Sequence, residues 1–380
     1  MTEKYAIFFP QFHRVRVNDD AWGYCFDDWA LVSAANAFDL WHRRAPAKGY
    51  YDLSNSDEVE SQFETARDYG LDGFGIYHYW FRDGPELSAV ESYLAENDVP
   101  DNFGFFFIWA NEDWSKRWAG KDTEILHVVE KEPGTSDIKR HVNYLAPFML
   151  NRSYKKVNGR PVFVLYRSEV FSDIEKVVSD YREEFHSAGI DVEFGLAIKR
   201  YSDFKDLKWF DFAYIFEPRF YHNFTGVRGS KIANQAFRLA SRVLPTSLSE
   251  RLFSLAGKVI HRSPKKSDFC EYSKYFFSDH RLKLFDSHDK PVQNIISCGW
   301  NNAPRYRENA VKLVDVPAED EFSDFMSKYS DHYSFSDYPL LCNAWNEWSE
   351  GAALEPCYYY NDYLIKCYVG FDKSNYPSVQ

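Results

Sequence analysis

Short apolar runs alternate with longer amphipathic stretches along most of this chain. Eight apolar runs predict β-strands, at 4–10, 72–79, 103–109, 161–166, 192–198, 210–216, 291–298 and 338–343. Helical periodicity predicts helices at 57–69, 87–96, 136–150, 173–186 and 319–328. Since uninterrupted apolar strands that alternate with helices are typical of a parallel sheet covered by helices, the pattern predicts an α/β fold.

Eight strand–helix units in a chain of this length predict a (β/α)8 barrel of the TIM type, formed by a single domain over residues 1–380. The alternative is an open, doubly wound sheet. No Gly-x-Gly-x-x-Gly sequence follows the first predicted strand, and this weighs against the doubly wound alternative.

Residues 11–56 do not follow the alternation. The segment is long and loop-like, and it is rich in aromatic residues, namely Trp22, Trp29, Trp41, Tyr50 and Tyr51. A loop of this length in a compact domain is usually functional, so the sequence predicts a long aromatic loop after the first strand that covers a cleft.

Residues 230–266 also interrupt the alternation, as a helical insertion between strands six and seven. The segment carries eight basic residues and one acidic residue, Glu250, which gives 8 − 1 = +7. The basic residues are Lys231, Arg238, Arg242, Arg251, Lys258, Arg262, Lys265 and Lys266. Apolar positions lie between them, which is typical of a helix on an anionic membrane surface. A solvated helical hairpin, packed on the barrel or on a second subunit, is the alternative.

Composition limits the remaining classes of function. The net charge of −12 argues against a nucleic-acid-binding protein, which would carry a basic surface. No stretch approaches the about 18 apolar residues of a membrane span, and the N-terminus reads as a strand and not as a signal peptide. None of the six cysteines forms a Cys-x-x-Cys pair, and no Cys/His spacing fits a zinc site. We therefore expect a cytoplasmic protein with no metal and no cofactor.

The strongest candidate for chemistry follows the last predicted strand. There the chain runs Trp345-Asn-Glu-Trp-Ser-Glu-Gly351, with carboxylates at Glu347 and Glu350. If this segment turns helically, two carboxylates three residues apart point into one pocket. Paired carboxylates among aromatic rings suit the chemistry of a glycosidic bond. The alternative is an exposed acidic turn whose two Trp side chains belong to the core.

Further polar and aromatic residues follow the other predicted strands, where a barrel places its active site. We expect them to bind a sugar. They are Gln11, His13, Tyr51, His78, Tyr79, Trp80, Trp109, Asn111, Glu112, Trp114, Trp300, Asn302, Arg305, Trp345, Asn346 and Trp348. Three alternatives stay open: the Trp-rich loop at 109–114 packs on itself, His78 makes a structural hydrogen bond, or Arg305 pairs with an acid at the edge of the core.

Several motifs resemble the WbsX-like proteins of bacterial surface-polysaccharide gene clusters, which are relatives of glycoside hydrolase family 99. They include Phe9-Pro-Gln-Phe-His13, Gly49-Tyr-Tyr-Asp-Leu53, Ile108-Trp-Ala-Asn-Glu-Asp-Trp114 and the Trp345–Gly351 motif. The match runs in order from about residue 5 to about residue 360, without 230–266. The resemblance implies a (β/α)8 barrel that acts on glycans.

The resemblance also implies roles for the two carboxylates. Family 99 enzymes are retaining, and their catalytic pair lies in a Glu-x-x-Glu motif. Carried over, Glu347 is the base that assists attack by the sugar's own 2-hydroxyl, and Glu350 is the general acid and then the base. Glu350 then needs a raised pKa and Glu347 must stay ionised, with Asn346 and Asn111 as candidate hydrogen-bond donors.

One position departs from the pattern of the relatives. They usually have Trp-Asp-Asn where this chain has Trp300-Asn-Asn302, so Asn301 removes a negative charge. Any role that requires a carboxylate at this position is therefore in doubt.

The sequence thus predicts a carbohydrate-active enzyme that makes or cleaves a glycosidic bond with retention, in O-antigen or capsule metabolism. Its substrate is an oligosaccharide or polysaccharide, either free or lipid-linked, and the protein is cytoplasmic, either free or peripheral at the inner membrane. Two alternatives remain: a catalytically silent glycan-binding barrel, and a glycosyltransferase that uses a nucleotide sugar. No Asp-x-Asp follows an apolar strand, which weighs against the second alternative.

Overall fold

Eight parallel strands close into a barrel in the computed structural model. They are β1 (Lys4–Phe8), β2 (Gly73–Phe81), β3 (Gly104–Trp109), β4 (Arg160–Leu165), β5 (Glu193–Ile198), β6 (Phe212–Ile215), β7 (Val292–Ser297) and β8 (Leu340–Asn343). Each strand pairs with the next along the chain, and β1 pairs with both β2 and β8, so the barrel is closed. The eight predicted strands and the predicted (β/α)8 barrel are confirmed.

The structure describes residues 2–22, 26–37, 44–115, 125–225, 268–306, 312–333 and 336–371. The predicted insertion at 230–266 lies outside these ranges, as does Trp41. Among the described residues, no helix is both long enough and apolar enough to cross a lipid bilayer.

Glycines on two neighbouring strands make room for a large side chain inside the barrel. Tyr5 on β1 is buried and lies beside Gly73 on β2, its partner in the strand register. A Cβ atom at Gly73 would lie 2.4 Å from the Tyr5 ring, and one at Gly104 would lie 2.3 Å from the Tyr5 hydroxyl. Side chains at these positions would overpack the barrel, so the two glycines are required by the size of Tyr5.

Helices cover the outside of the barrel. They are α1 (Arg16–Trp22), α2 (Asp28–Ala37), α3 (Ser56–Asp68), α4 (Ala89–Glu96), α5 (Thr135–Leu150), α6 (Ile174–Ser187), α7 (Arg219–Thr225), α8 (Phe269–Phe276), α9 (Asp279–Asp286), α10 (Ala303–Tyr306), α11 (Glu319–His332) and α12 (Tyr363–Gly370). The five predicted helices correspond to α3, α4, α5, α6 and α11, and are confirmed. In α3 the side chains of Val59, Phe63 and Ala66, whose spacing places them on one helical face, are all buried.

The prediction that residues 11–56 are loop-like needs a partial correction, because this segment contains α1 and α2. The sequence of α2, DWALVSAANA, is apolar or small on most faces. It therefore lacks the one-sided apolar stripe by which an amphipathic helix is recognised. In the barrel α2 packs against α10 and against the turn at Trp348–Glu350, and so forms one side of the candidate site.

Candidate functional site

A cavity of about 390 Å³ opens at the carboxyl ends of the barrel strands. Its lining combines carboxylates, cations and aromatic rings. Eight of the residues predicted from the sequence line it, namely Gln11, Tyr79, Glu112, Trp114, Trp300, Arg305, Glu347 and Glu350. The rule that polar side chains collect at the strand ends therefore places eight of the eighteen candidates at one cavity.

A tight turn after β8 brings Glu347 and Glu350 together. Asn346–Glu347 pairs in antiparallel fashion with Ala352–Ala353, and Trp348–Glu350 forms a 3-10 turn between them. Residues three apart are eclipsed in a 3-10 turn, so both carboxylates lie on the cavity side. Gly351 ends the turn with a φ of 64°, a conformation that favours glycine.

Asn346 fixes this turn to the end of β1. Its side-chain oxygen accepts a hydrogen bond from the Phe9 backbone N–H at 2.7 Å, and its amide donates to the Phe9 carbonyl at 3.0 Å. The side chain is buried and occupied by the backbone. Asn346 therefore positions the turn that carries Glu347 and Glu350, and it does not supply the hydrogen bond to Glu347 that the sequence suggested.

A buried carboxylate, Glu355, supports the turn from below. It accepts hydrogen bonds from Tyr51 at 3.0 Å, from Gln62 at 3.0 Å and from the indole N–H of Trp348 at 2.7 Å. Gln62 in turn accepts a hydrogen bond from the indole N–H of Trp345 at 2.7 Å. Burial raises the pKa of Glu355 to about 7. Sequence analysis missed Glu355, although it lies only five residues after Glu350.

This network corrects three predictions. Trp345 and Trp348 are 0% and 1% exposed, and Tyr51 is buried as well. Because their polar atoms are bound to Gln62 and Glu355, these side chains stabilise the turn from behind. They are not accessible as faces for a sugar, and the alternative that assigned both Trp side chains to the core is correct for them.

Arg305 of α10 holds both carboxylates of the pair. Its Nη1 donates to Glu350 Oε1 at 2.5 Å, and its Nη2 donates to Glu347 Oε1 at 3.2 Å. A third carboxylate, Asp28 at the start of α2, lies 3.8 Å from the same guanidinium. The indole N–H of Trp300 also donates to Glu350. Arg305 thus pairs with acids of the site itself, and Asp28 is a buried member of the cluster that sequence analysis missed.

The proton affinities differ from those expected. Burial, followed by repulsion from Glu350, raises the pKa of Glu347 to about 8, against the attraction of Arg305. Burial likewise raises the pKa of Asp28 to about 6. The pKa of Glu347 is therefore raised although this carboxylate was expected to stay ionised, and only 7% of its side chain is exposed.

Asn111 does not serve Glu347 either. Its side chain is fully buried, and it donates to the Arg167 carbonyl at 2.7 Å while accepting from the Arg167 backbone N–H at 2.8 Å. It fixes the segment after β4 to the segment after β3. The side chain that donates to Glu347 is Arg305.

Three further candidates lie behind the barrel wall. His78 is fully buried, with Nδ1 2.8 Å from Glu91 and Nε2 2.9 Å from His141. Trp80 stacks on the His141 ring with 4.5 Å between centroids, and Trp109 packs edge-on against the same ring. Since successive residues of a strand point to opposite faces, Tyr77 and Tyr79 reach the cavity while His78 and Trp80 face the helices. The structural alternative for His78 is the one that fits.

His13 and Asn302 are buried and are not among the residues that line the cavity. Burial lowers the pKa of His13, and its Nδ1 has no hydrogen-bond partner among the described residues. The structure therefore does not place these two side chains with the candidate residues at the cavity.

Sequence analysis also missed the charged residues that follow the middle strands. They line the cavity and are Arg167 and Glu169 after β4, Lys199 and Arg200 after β5, and Arg219 after β6. They could have been predicted by the rule used for the aromatic candidates, because they too follow the carboxyl ends of the strands. Within the described ranges, no group of three or more His, Cys, Asp or Glu side chains has the arrangement of a metal site.

Two curated proteins are similar to this chain over most of its length. Two proteins of Xanthomonas campestris pv. campestris, both described as uncharacterized protein WxcX, are 26% and 27% identical over 366 and 361 residues. The alignment covers 92% of this chain but 47% of each relative, so the chain spans about half the length of the curated relatives it matches.

Solved structures share the fold at low sequence identity. A GH99 endo-alpha-mannosidase from Bacteroides thetaiotaomicron superposes with a TM-score of 0.53 and 11% identity, covering 97% of this chain and 95% of the other. A glycoside hydrolase-like protein gives a TM-score of 0.51 and 13% identity, with coverages of 87% and 89%. The profile of the family described as "Glycosyltransferase WbsX" matches residues 4–367, nearly the whole sequence. The chain belongs to the WbsX glycosyltransferase family.

Proposed function

We propose that this chain is a carbohydrate-active enzyme that makes or cleaves a glycosidic bond with retention of configuration. The observation that carries the proposal is the pair formed by Glu347 and Glu350, which share one guanidinium on the wall of a barrel cavity. Retaining chemistry needs one carboxyl group to protonate the leaving oxygen and a second to act on the opposite side of the reaction. Hydrolysis and transfer use the same pair and differ in the acceptor.

In this proposal Glu347 is the base on the 2-hydroxyl of the sugar, and Glu350 is the general acid and then the base. Burial favours the proton on Glu347, whereas the chemistry needs it on Glu350. A sugar can move it: a 2-hydroxyl that donates to Glu347 stabilises the ionised form, and a glycosidic oxygen accepts a hydrogen bond from protonated Glu350. In this proposal the glycan shifts towards Glu350 the proton that burial holds on Glu347 near neutral pH.

The aromatic side chains at the cavity supply the faces on which a sugar ring packs. Trp114, Trp300 and Tyr79 line it, and Gln11 donates to the Tyr79 hydroxyl at 2.8 Å. We assign these four residues, together with Glu112, to glycan binding. An α-mannoside is the first substrate to test, because the fold neighbour from Bacteroides thetaiotaomicron is an endo-alpha-mannosidase.

The substrate is proposed to be a glycan of O-antigen or capsule assembly, either free or lipid-linked. A lipid-linked substrate would make membrane contact useful, and the basic segment at 230–266 is the proposed contact, on its sequence alone, because it lies outside the described residues.

The acid role is tested with Glu350→Gln on a panel of α-mannosides and other bacterial oligosaccharides, with product configuration determined by NMR. Wild type should give retained products. The variant should lose roughly 10²–10⁴-fold in turnover on glycans with poor leaving groups, because a positioned acid contributes about that much. The loss should be smaller on a dinitrophenyl glycoside, which needs little protonation.

Glu183→Gln, a change on the exposed surface of α6, is the matched control and should retain full activity. Equal losses by Glu350→Gln on both kinds of substrate would contradict the acid role. Glycan binding by wild type without any turnover would instead support the silent binding barrel, and turnover that requires a nucleotide sugar would support the transferase alternative.

The base role is tested with a 2-fluoro substrate and intact-mass spectrometry. If Glu347 acts through the 2-hydroxyl, a sugar that lacks this group should bind and hardly react. If Glu347 is itself the nucleophile, the 2-fluoro sugar should accumulate as a covalent adduct. A stable adduct on Glu347 would rule out the route through the 2-hydroxyl.

The proton affinity of Glu347 predicts how stability depends on pH. Its pKa in the folded protein, about 8, lies above the ordinary value of 4.5, so the folded chain binds this proton more tightly. The resulting stabilisation is complete below pH 4.5 and is lost as the pH rises through about 8. Glu347→Gln mimics the protonated form, so its advantage in unfolding free energy over wild type should grow between pH 5 and pH 9, on the order of 1–3 kcal/mol.

Chemical denaturation at several pH values measures this difference. Glu355, whose pKa is also raised, contributes equally to both proteins and cancels in the comparison. Glu183→Gln should follow the wild-type curve at every pH. Parallel curves for wild type and Glu347→Gln would show that Glu347 is not the group that holds the proton.

Membrane contact is tested by sedimentation with anionic and neutral vesicles. The wild-type chain should bind anionic vesicles at low salt and release them at high salt, because each basic residue contributes about 1 kcal/mol near the surface and salt screens it. A chain with Lys258, Arg262, Lys265 and Lys266 changed to Gln should bind less. Unchanged binding by this variant, or no binding by wild type, would contradict the proposed contact.

A further inference from the structure

Four positively charged side chains form one wall of the cavity, which we call the cationic wall. It consists of Arg167, Lys199, Arg200 and Arg219, at the carboxyl ends of β4, β5 and β6. In the closed strand order β4 is four strands from β8 in either direction, and so lies on the opposite side of the barrel. Arg167, which follows β4, therefore lies across the cavity from the turn that carries the carboxylate pair, whereas Arg219, after β6, lies nearer to this turn, with its guanidinium 5.0 Å from the centroid of the Trp300 ring.

Three of these cations converge on a single carboxylate, Glu169. Its oxygens lie 3.0 Å from Arg167, 2.6 Å from Arg200 and 3.7 Å from Lys199. Arg167 also reaches Glu112, at 2.8 Å. Although burial opposes it, Lys199, Arg167 and Arg200 hold the pKa of Glu169 below its usual value. This arrangement already stabilises one carboxylate at the cavity surface.

Lys199 is a buried member of the wall with few hydrogen-bond partners among the described residues. It is 5% exposed, it lines the cavity, and burial lowers its pKa. Its ammonium group donates to the Tyr166 carbonyl, lies 4.7 Å from the Tyr166 ring centroid, and approaches the nearest carboxylate oxygen only to 3.7 Å. An ammonium group has three donors, and a buried charge is costly unless it is fully paired. An anion in the cavity would complete its hydrogen bonds.

We propose that the cationic wall binds an anionic group of the glycan, either a carboxylate of an acidic sugar or a phosphate, while Glu347 and Glu350 act on the glycosidic bond across the cavity. Guanidinium groups bind both kinds of anion with two hydrogen bonds, and Lys199 adds a point charge. The whole chain has a net charge of −12, so an acidic glycan needs such a local site to bind. The inference rests on the proposed function, since it specifies the substrate class of the same cavity.

Calorimetric binding to the wild-type chain tests the inference in two arms. One arm pairs oligosaccharides that contain uronic acid with their carboxyl-reduced, neutral counterparts. The other pairs glycosyl phosphates with the same sugars after dephosphorylation. In one arm or the other, the anionic member should bind about tenfold more tightly or better at low salt, and the preference should shrink at high salt. The arm that shows the preference identifies the source of the anion.

Lys199→Met should remove most of this preference while leaving the affinity for the neutral member nearly unchanged. Arg200→Gln, at a side chain that is 46% exposed, is a second variant that does not disturb the interior. Lys139→Met, an exposed position on α5, is the matched control and should keep the preference.

No preference for the anionic member in any pair would overturn the proposal, and so would a preference that both variants retain. These outcomes are distinct from failure of the proposed function. Turnover of neutral and acidic glycans at equal rates would refute the anion site but support the proposed enzymatic function. Tight binding of acidic glycans that depends on the cationic wall, without any products, would refute the enzymatic function but support the anion site.

Discussion

The guanidinium of Arg305 is the interaction on which the site depends. It contacts Glu347, Glu350 and Asp28, three carboxylates that come from two distant parts of the chain. Each of these groups is largely withdrawn from water, and buried carboxylates without a cation would repel one another and lose hydration. Because Arg305 lies on α10 and Asp28 on α2, the same contact also fixes two helices over the end of the barrel.

The positions of the two glutamates depend in turn on what lies behind them. The turn at Trp348–Glu350 is held by Asn346 against β1 and by Glu355 against Tyr51 and Gln62. These groups are buried and touch the cavity at no point. The desolvation of these groups is offset by nearly complete hydrogen bonding. The protein therefore sets the orientation of the two carboxylates without a ligand.

Much of the fold could be predicted because buried strands and amphipathic helices have different periods. The site could be predicted only in part, for two physical reasons. The rule that strand ends carry function says nothing of which face a side chain takes, so Tyr79 and His78 looked alike although the first reaches the cavity and the second faces α4. The sequence also does not tell a cavity-lining tryptophan from a core tryptophan: Trp300 lines the cavity, while Trp345 is fully buried behind the turn. Asp28 is distant in sequence from Arg305, and Glu355 is distant from Tyr51 and Gln62, and spacing gives no signal for such pairs.

Charge balance connects the stability of this cluster with its chemistry. One guanidinium cannot neutralise three buried carboxylates, so the cluster lowers its free energy by keeping a proton at a pH where isolated carboxyl groups have lost theirs. The raised pKa values of Glu347 and Asp28 express this. A general acid for glycosidic chemistry must be a carboxyl group that is still protonated near neutral pH. In the proposed reaction, the crowding of acids around Arg305 would supply this proton, and a bound glycan would decide which of the two carboxylates holds it.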